Sequence, residues 1–280
     1  MNIQLLCDSL CDIPDEIAAK PYLEVIPLTV MFDNEEFREG IDISKEEFYK
    51  RVKSTGEIPK TSQATYIEFR EAFDKYTSEG KKIICITGSS KSSGTYQSAT
   101  LAKEDCENGE IFVFDTLNLS LGSGQYVIKA CELIDEGKNY EEVLEELDNI
   151  RESVHLLFVP STLTYLKKSG RVPSATATIG NLLHVQPLFY VENGDIKMLE
   201  KIRGAKKVPH TMVDVLLDMN DGNLEDKIVT IGCGANYDEM KGLEEEVRKR
   251  IKARKVMFTR GGVCICSHTG PDIIALSSSL

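Results

Sequence analysis

Six of the nine residues in Thr87-Gly88-Ser89-Ser90-Lys91-Ser92-Ser93-Gly94-Thr95 carry a hydroxyl. The stretch follows an apolar run, Lys82–Thr87, that reads as a buried strand, and it precedes a helical pattern from about Tyr96. Ligands of open α/β sheets sit at the carboxyl ends of strands, where helix N-termini offer free amides. Hydroxyl donors added there suit an oxyanion, either a carboxylate or a phosphate. The loop lacks the Gly-Lys-Ser/Thr ending of a nucleotide-binding phosphate loop. Helix capping and a solvated turn are the plainer duty, but turns rarely need so many hydroxyls. Its place after the strand aims Ser93 at the crevice where the two halves of the chain meet.

A second hydroxyl cluster, Thr61-Ser62-Gln63, follows Ile58-Pro59-Lys60 and leads into a capped helix. Asp8-Ser9 and Asp12 follow the first strand, where turn and cap chemistry competes with a site. Lys167-Lys168-Ser169-Gly170-Arg171 is a basic knot in an acidic chain. Lysines at a helix C-terminus complement its dipole and Gly170 stops the helix. That leaves Arg171, whose planar fork suits carboxylate or phosphate. His268 lies in Cys266-Ser267-His268-Thr269-Gly270-Pro271, less constrained by packing than His155, His184 and His210, which read as structural. Cys264, Cys266 and His268 are two apart and lack the paired spacing of structural zinc, so no metal is expected.

These residues need positioning elements. The first half alternates strand and helix: Ile3–Cys7, a longer strand Leu23–Phe32, Lys82–Thr87 and Ile111–Phe114. Capping boxes at Ser44–Glu47 and Thr65–Glu68 open two helices, and helical patterning covers about Ser120 to Gly137 and Tyr140 to Arg151. Apolar strands separated by helices imply a parallel sheet covered on both faces. In the second half Leu156–Val159 is a strand, followed by a short helix over Ser161–Ser169. Asn193-Gly194 between Gln186–Val191 and Ile196–Ile202 signals a hairpin. Helices over Lys206–Met219 and Tyr237–Ala253 alternate with strands Lys227–Cys233, Lys255–Thr259 and Val263–Cys266. That pattern suggests a mixed sheet with helices on one face. The expected organisation is an α/β chain: a first domain over 1–153 with a parallel sheet, and a second over 154–280 with a mixed sheet.

With 41% hydrophobic and 28% charged residues the 280-residue chain is neither disordered nor collagen-like. Lys plus Arg is 33 against 45 Asp plus Glu, a net charge of −12. Nucleic acid and anionic membrane surfaces repel such a chain, so neither is an expected partner. No apolar run reaches the roughly 18 residues of a membrane helix. The N-terminus lacks the basic region of a signal peptide, which places the expected location in the cytoplasm, with the eight cysteines as reduced, mostly buried thiols.

Taken together the motifs resemble the DegV family of bacterial fatty-acid-binding proteins. The resemblance runs through Asp8-Ser9 with Asp12, Ile26-Pro27-Leu28, Lys60-Thr61-Ser62-Gln63, Ser89–Ala99 and Asp115-Thr116. It continues through Leu163–Arg171, Leu182-Leu183 with Pro187, and His268-Thr269-Gly270-Pro271. It implies an N-terminal α/β/α domain with a parallel sheet, a C-terminal domain with a mixed sheet, and a long-chain fatty acid such as palmitate in a tunnel between them. The carboxylate would meet Thr61 or Ser62 and Ser93, with Gly94 and Thr95 completing the lipid-binding loop. The family resemblance also implies a lipid-binding protein rather than an enzyme, with no cofactor beyond the acyl ligand and a role in lipid transport or fatty acid metabolism. Some members present the carboxylate to a separate fatty acid kinase subunit, a role in which Arg171 and His268 would serve. Two positions depart from the family pattern. Ser92 stands where Leu is usual, making the wall near the head group more polar, and Asp272–Leu276 replaces a run of small residues.

Two enzyme readings compete. A serine hydrolase would use Ser93, His268 and Asp115, which occur in the order Ser, Asp, His, but Gly-x-Ser-x-Gly is absent around Ser93. A phosphoryl-transfer enzyme would use the hydroxyl loop for phosphate, but no nucleotide motif accompanies it.

Overall fold

The alternation of apolar runs and capped helices builds two large sheets and a small one. The computed structural model describes residues 2–107, 109–172 and 185–280; His184 and the Leu182-Leu183 pair lie outside the described residues. In chain order the first half comprises β1 (Ile3–Asp8), α1 (Asp15–Ala18), β2 (Leu23–Ile26), β3 (Thr29–Phe32), β4 (Glu35–Arg38), α2 (Lys45–Thr55), β5 (Lys60–Ser62), α3 (Tyr66–Ser78), β6 (Lys82–Thr87), α4 (Thr95–Glu104), β7 (Ile111–Asp115), α5 (Ser120–Asp135) and α6 (Tyr140–Asn149). The second half comprises β8 (His155–Pro160), α7 (Thr164–Ser169), β9 (Val185–Glu192), β10 (Asp195–Arg203), α8 (Val208–Asp218), β11 (Ile228–Cys233), α9 (Tyr237–Arg250), β12 (Lys255–Arg260), α10 (Val263–Thr269) and β13 (Ile273–Ser279).

Strands β2-β1-β6-β7 form a parallel sheet in that order. Every residue of β1 is buried, as a strand covered on both faces requires. Leu5, Ile84 and Ile86 pack with Tyr126, Val127 and Ile134 of α5, and with Val143 and Leu147 of α6. Leu6, Ile83 and Cys85 face the other way, onto Phe69 and Phe73 of α3 and Ala99 of α4. Both expected capping boxes are present, at Ser44 and Thr65.

The six-stranded sheet runs β10-β9-β8-β13-β11-β12. It is mixed: β11 and β12 are parallel, and the other neighbours are antiparallel. Its outer face buries Leu157, Val159 and Ile231 against α8 and α9. The expectation of helices on one face only is corrected. α5 lies between the two large sheets, with Gln125 Nε2 donating to Thr230 Oγ1 at 3.2 Å and Ser279 Oγ donating to Gln125 Oε1 at 2.9 Å.

Two further expectations fail for identifiable reasons. The strand expected over Leu23–Phe32 breaks at Pro27-Leu28. Proline offers no amide to the ladder and restrains the residue before it, and Leu28 N donates to Ser9 Oγ at 2.9 Å instead. The chain then enters a small antiparallel sheet, β4-β3-β5, in which Val30 pairs with Thr61. Val263–Cys266 is not a strand but the start of α10, and the last strand is β13, inserted between β8 and β11. His268 therefore sits on a helix rather than in the loop after a final strand.

Candidate functional site

The carboxyl ends of β1 and β6 face the mixed sheet, and the site is built there. Asp8, the last residue of β1, is fully buried. Its carboxylate accepts from Leu10 N at 2.8 Å and from Gly88 N at 3.0 Å, tying the first loop to the hydroxyl loop. Burial pushes its carboxyl up to about 7, against the lowering effect of those two amides. The hydroxyl loop continues as a turn in which the amides of Ser92 and Ser93 both donate to Ser89 O at 3.1 Å. Its outer edge meets the β9–β10 hairpin. Lys91 Nζ pairs with Asp195 at 2.9 Å, and Gly194 stands so close that a Cβ there would lie 2.5 Å from Ser89 Oγ. Asn193 and Gly194 take left-handed φ values of 50° and 82°, as the Asn-Gly signal requires.

Thr61, Ser62, Ser93, Gly94, Arg171 and His268 all line one cavity of about 230 Å³. Four different elements bring them there: β5, the lead into α4, the residues after α7, and α10. The same cavity is walled by Leu10, Leu28, Leu119, Leu166, Ile196 and Ile265. Its wall thus combines aliphatic side chains with a set of hydroxyls. Thr95 does not line the cavity but stands behind Ser93. It is fully buried, with its hydroxyl 2.8 Å from Ser93 Oγ, and its amide donates to Ser93 Oγ at 3.3 Å. Thr95 therefore orients Ser93. Ser92 also lines the cavity, so the polar substitution noted in the sequence does face it.

Gln63 and Thr269 complete the polar lining. Gln63 Nε2 donates to Ser98 Oγ at 2.8 Å, and its Oε1 fills the space over Gly94, where a Cβ would lie 1.9 Å away. That close approach is why position 94 has no side chain. Gln63 and Thr269 each belong to a motif already singled out, though neither is among the expected site residues. Of the apolar wall, Leu28 and Leu166 lie in motifs singled out in the sequence, while Leu10, Leu119, Ile196 and Ile265 come from scattered elements that carry no common signal.

His268 Nε2 lies 2.8 Å from Thr61 Oγ1. Burial, and then the neighbouring Arg171 charge, hold the imidazole down at about 4, so it is neutral at pH 7. In the tautomer with the proton on Nε2, His268 donates to Thr61 and leaves the threonine hydroxyl free to donate elsewhere. Arg171 is exposed, its guanidinium donating to Ser169 O at 2.6 Å. Thr61, Arg171 and His268 also border a second, more open cavity of about 680 Å³ that Lys60 and Lys168 help to line.

The hydrolase arrangement is not assembled. Ser93 Oγ is engaged with Thr95 and His268 with Thr61, while Asp115 Oδ1 accepts from the amides of Ser90 at 3.1 Å and Leu117 at 3.0 Å. Among the described residues no group of three His, Cys, Asp or Glu is placed to hold a metal. No helix among them is long and apolar enough to cross a membrane.

This geometry defines a class: an α/β protein of two large sheets with a cavity lined by aliphatic side chains and hydroxyl donors. The chain belongs to the DegV family, whose model, described as an uncharacterised protein family, matches residues 2–279. A DegV domain-containing protein of Clostridium acetobutylicum is 38% identical over 271 residues, covering 96% of this chain and 95% of its own. Among solved structures, a DegV family protein from Thermus thermophilus, described as binding fatty acid, is 29% identical with a TM-score of 0.92, over 100% of both chains. A stearic-acid-binding protein from Eubacterium ventriosum is 26% identical with a TM-score of 0.88, covering 99% of this chain and 98% of its own.

Proposed function

We propose that this chain binds a long-chain fatty acid such as palmitate, with its carboxylate at the hydroxyls of the cavity. The observation that carries the reading is the convergence of Thr61, Ser62, Ser93 and Gly94 on one cavity that Leu10, Leu28, Leu119, Leu166, Ile196 and Ile265 also line. A tail of about 14 methylenes at ~0.8 kcal/mol each contributes on the order of 11 kcal/mol gross. Association and ordering costs offset several of these. The carboxylate then needs only hydroxyl and amide donors, without a buried cation. Ser93 and Thr61 supply the hydroxyls, with the neutral His268 holding Thr61 in its donating state. The division at 153/154 belongs to this reading, the first unit supplying the hydroxyl loops and the second completing the tunnel. The protein acts in this account as a non-catalytic carrier in the cytoplasm, serving lipid transport or fatty acid metabolism.

We further infer that the head group is presented to a fatty acid kinase subunit. Thr61, Arg171 and His268 border both the lipid cavity and the open one beside it, and Lys60 and Lys168 make the latter cationic. Arg171→Ala is expected to retain bound lipid and to lose acyl-phosphate formation in a reconstituted kinase assay. A variant that empties the pocket would return Arg171 to the lipid site.

The reading is tested by affinities for a fatty acid and the matched fatty alcohol, on native protein and Ser93→Ala. Loss of one charge-assisted hydrogen bond costs roughly 1.5 to 3 kcal/mol, or about 10- to 150-fold for the acid. The alcohol is expected to bind less tightly and to respond little to the substitution. Coupling near zero would mean that Ser93 does not touch the carboxylate.

A further inference from the structure

Val263-Cys264-Ile265-Cys266 is β-prone, yet it forms the first turn of α10. The amides of its cap and first two residues have acceptors that are far away in sequence. Gly262 N donates to Asp12 Oδ1 at 2.6 Å, Val263 N to Glu39 Oε1, and Cys264 N to Glu39 Oε2 at 3.2 Å. Both carboxylates are buried, Asp12 at 3% and Glu39 at 9% exposure. Each is held from its own side. Ser120 Oγ donates to Asp12 at 2.6 Å and Ser9 Oγ donates to Glu39 at 3.0 Å. Lys45, whose Nζ donates to Arg260 O at 2.8 Å, is the nearby positive charge. Neither acid lines the cavity, but His268, five residues along α10 from Val263, does.

We propose that Glu39, with Asp12 beside it, is a positioning residue for His268: the two buried carboxylates fix the start of α10 and so set the contact between His268 and Thr61. The motif Asp8-Ser9-Leu10-Cys11-Asp12 thereby acquires a divided task. Asp8 holds the hydroxyl loop, while Ser9 and Asp12 hold the histidine helix. Only the consequence for lipid rests on the head-group reading; the placement of His268 does not. Burying carboxylates is a costly way to start a seven-residue helix, since a surface serine cap does the same for α2. A carboxylate fixed inside the core instead ties α10 to the loops after β1 and β4, which a local cap cannot do.

The experiment is an NMR titration of the His268 imidazole in the full chain, with palmitate affinity measured alongside. In native protein the imidazole is expected to titrate near its depressed value of about 4. Glu39→Ala removes both acceptors. Gly262→Ala keeps the charges but places a Cβ 2.4 Å from Glu39 Oε1 and 2.6 Å from Asp12 Oδ1. Either is expected to raise the His268 pKa by about one unit or more toward its ordinary value, as burial is relaxed, and to weaken palmitate binding by about 10-fold. Glu39→Gln keeps an acceptor for Val263 N and is expected to restore most of both. Gln125→Ala, which breaks contacts between α5 and the mixed sheet, is expected to lower the melting temperature and leave the His268 titration in place. Should Glu39→Ala not fold, Gly262→Ala and Glu39→Gln carry the test. Folded variants with an unmoved His268 titration, or an equal movement in Gln125→Ala, would overturn the proposal. If His268 responds as expected while native protein ignores palmitate, the positioning role stands and the head-group reading fails.

Discussion

At the residue scale the proposed site uses an uncharged His268, and that has a sign in pH. The imidazole is lowered from 6.5 to about 4, first by burial and then by Arg171. A base depressed by folding contributes stability above its unfolded pKa, and the contribution is lost as pH falls from about 6.5 through about 4. The raised carboxyls of Asp8 and Glu39, both near 7, act oppositely. Their contribution is complete below the ordinary carboxyl range and is lost as pH rises through about 7. His268→Gln isolates the first effect. Denaturant unfolding at pH 7 and pH 4.5 is expected to show native protein losing on the order of 2 kcal/mol more than the variant on acidification. Equal losses would mean that the imidazole is not held neutral by the fold. The hydroxyls and Arg171 were legible because their residue types have few other reasons to cluster. Glu39 was not, since one acid among 45 acidic residues carries no local mark.

Elements were legible where local chemistry decides them. The capping boxes at Ser44 and Thr65, the Asn193-Gly194 turn and the apolar strand Lys82–Thr87 all appear as expected, because each is fixed by residues within a few positions of itself. The exceptions are governed from afar. Val263–Cys266 has the composition of a strand, but two carboxylates more than 200 residues distant in sequence accept the amides of its cap, Gly262, and of Val263 and Cys264, which favours a helix. The interruption at Pro27 was visible as a residue, but the departure of β3 into a separate sheet depends on pairing with β5. The hairpin turn has a functional corollary. Gly194 combines a φ of 82° with contact to Ser89 of the hydroxyl loop. Gly194→Ala is therefore expected to lower stability by about 1 to 2 kcal/mol and to weaken fatty acid binding through the displaced loop. Thermal melting with and without ligand reads both. A variant with unchanged melting and unchanged affinity would show that the hairpin does not buttress the site.

At the scale of the whole molecule, a parallel sheet presents hydroxyl loops at its carboxyl edge and a mixed sheet lies beside them. The family and its architecture follow from the match over residues 2–279 and from the close agreement with the Thermus thermophilus structure. A cavity that combines aliphatic side chains with hydroxyl donors suits a ligand that is mostly hydrocarbon and carries its single charge at one end. Binding to the native state alone raises stability by about 4 kcal/mol at a thousandfold excess over Kd, so delipidated protein is expected to melt lower and to recover on adding palmitate. The most direct measurement is made on protein as purified: denature it, extract it with organic solvent, and identify and quantify the released species by mass spectrometry. The expected result is a fatty acid of about 14 to 18 carbons, a length whose tail burial is worth on the order of 10 kcal/mol gross, at close to one per chain. An extract with no stoichiometric acyl species, together with no melting shift on adding palmitate, would contradict the claim that this cavity carries a fatty acid.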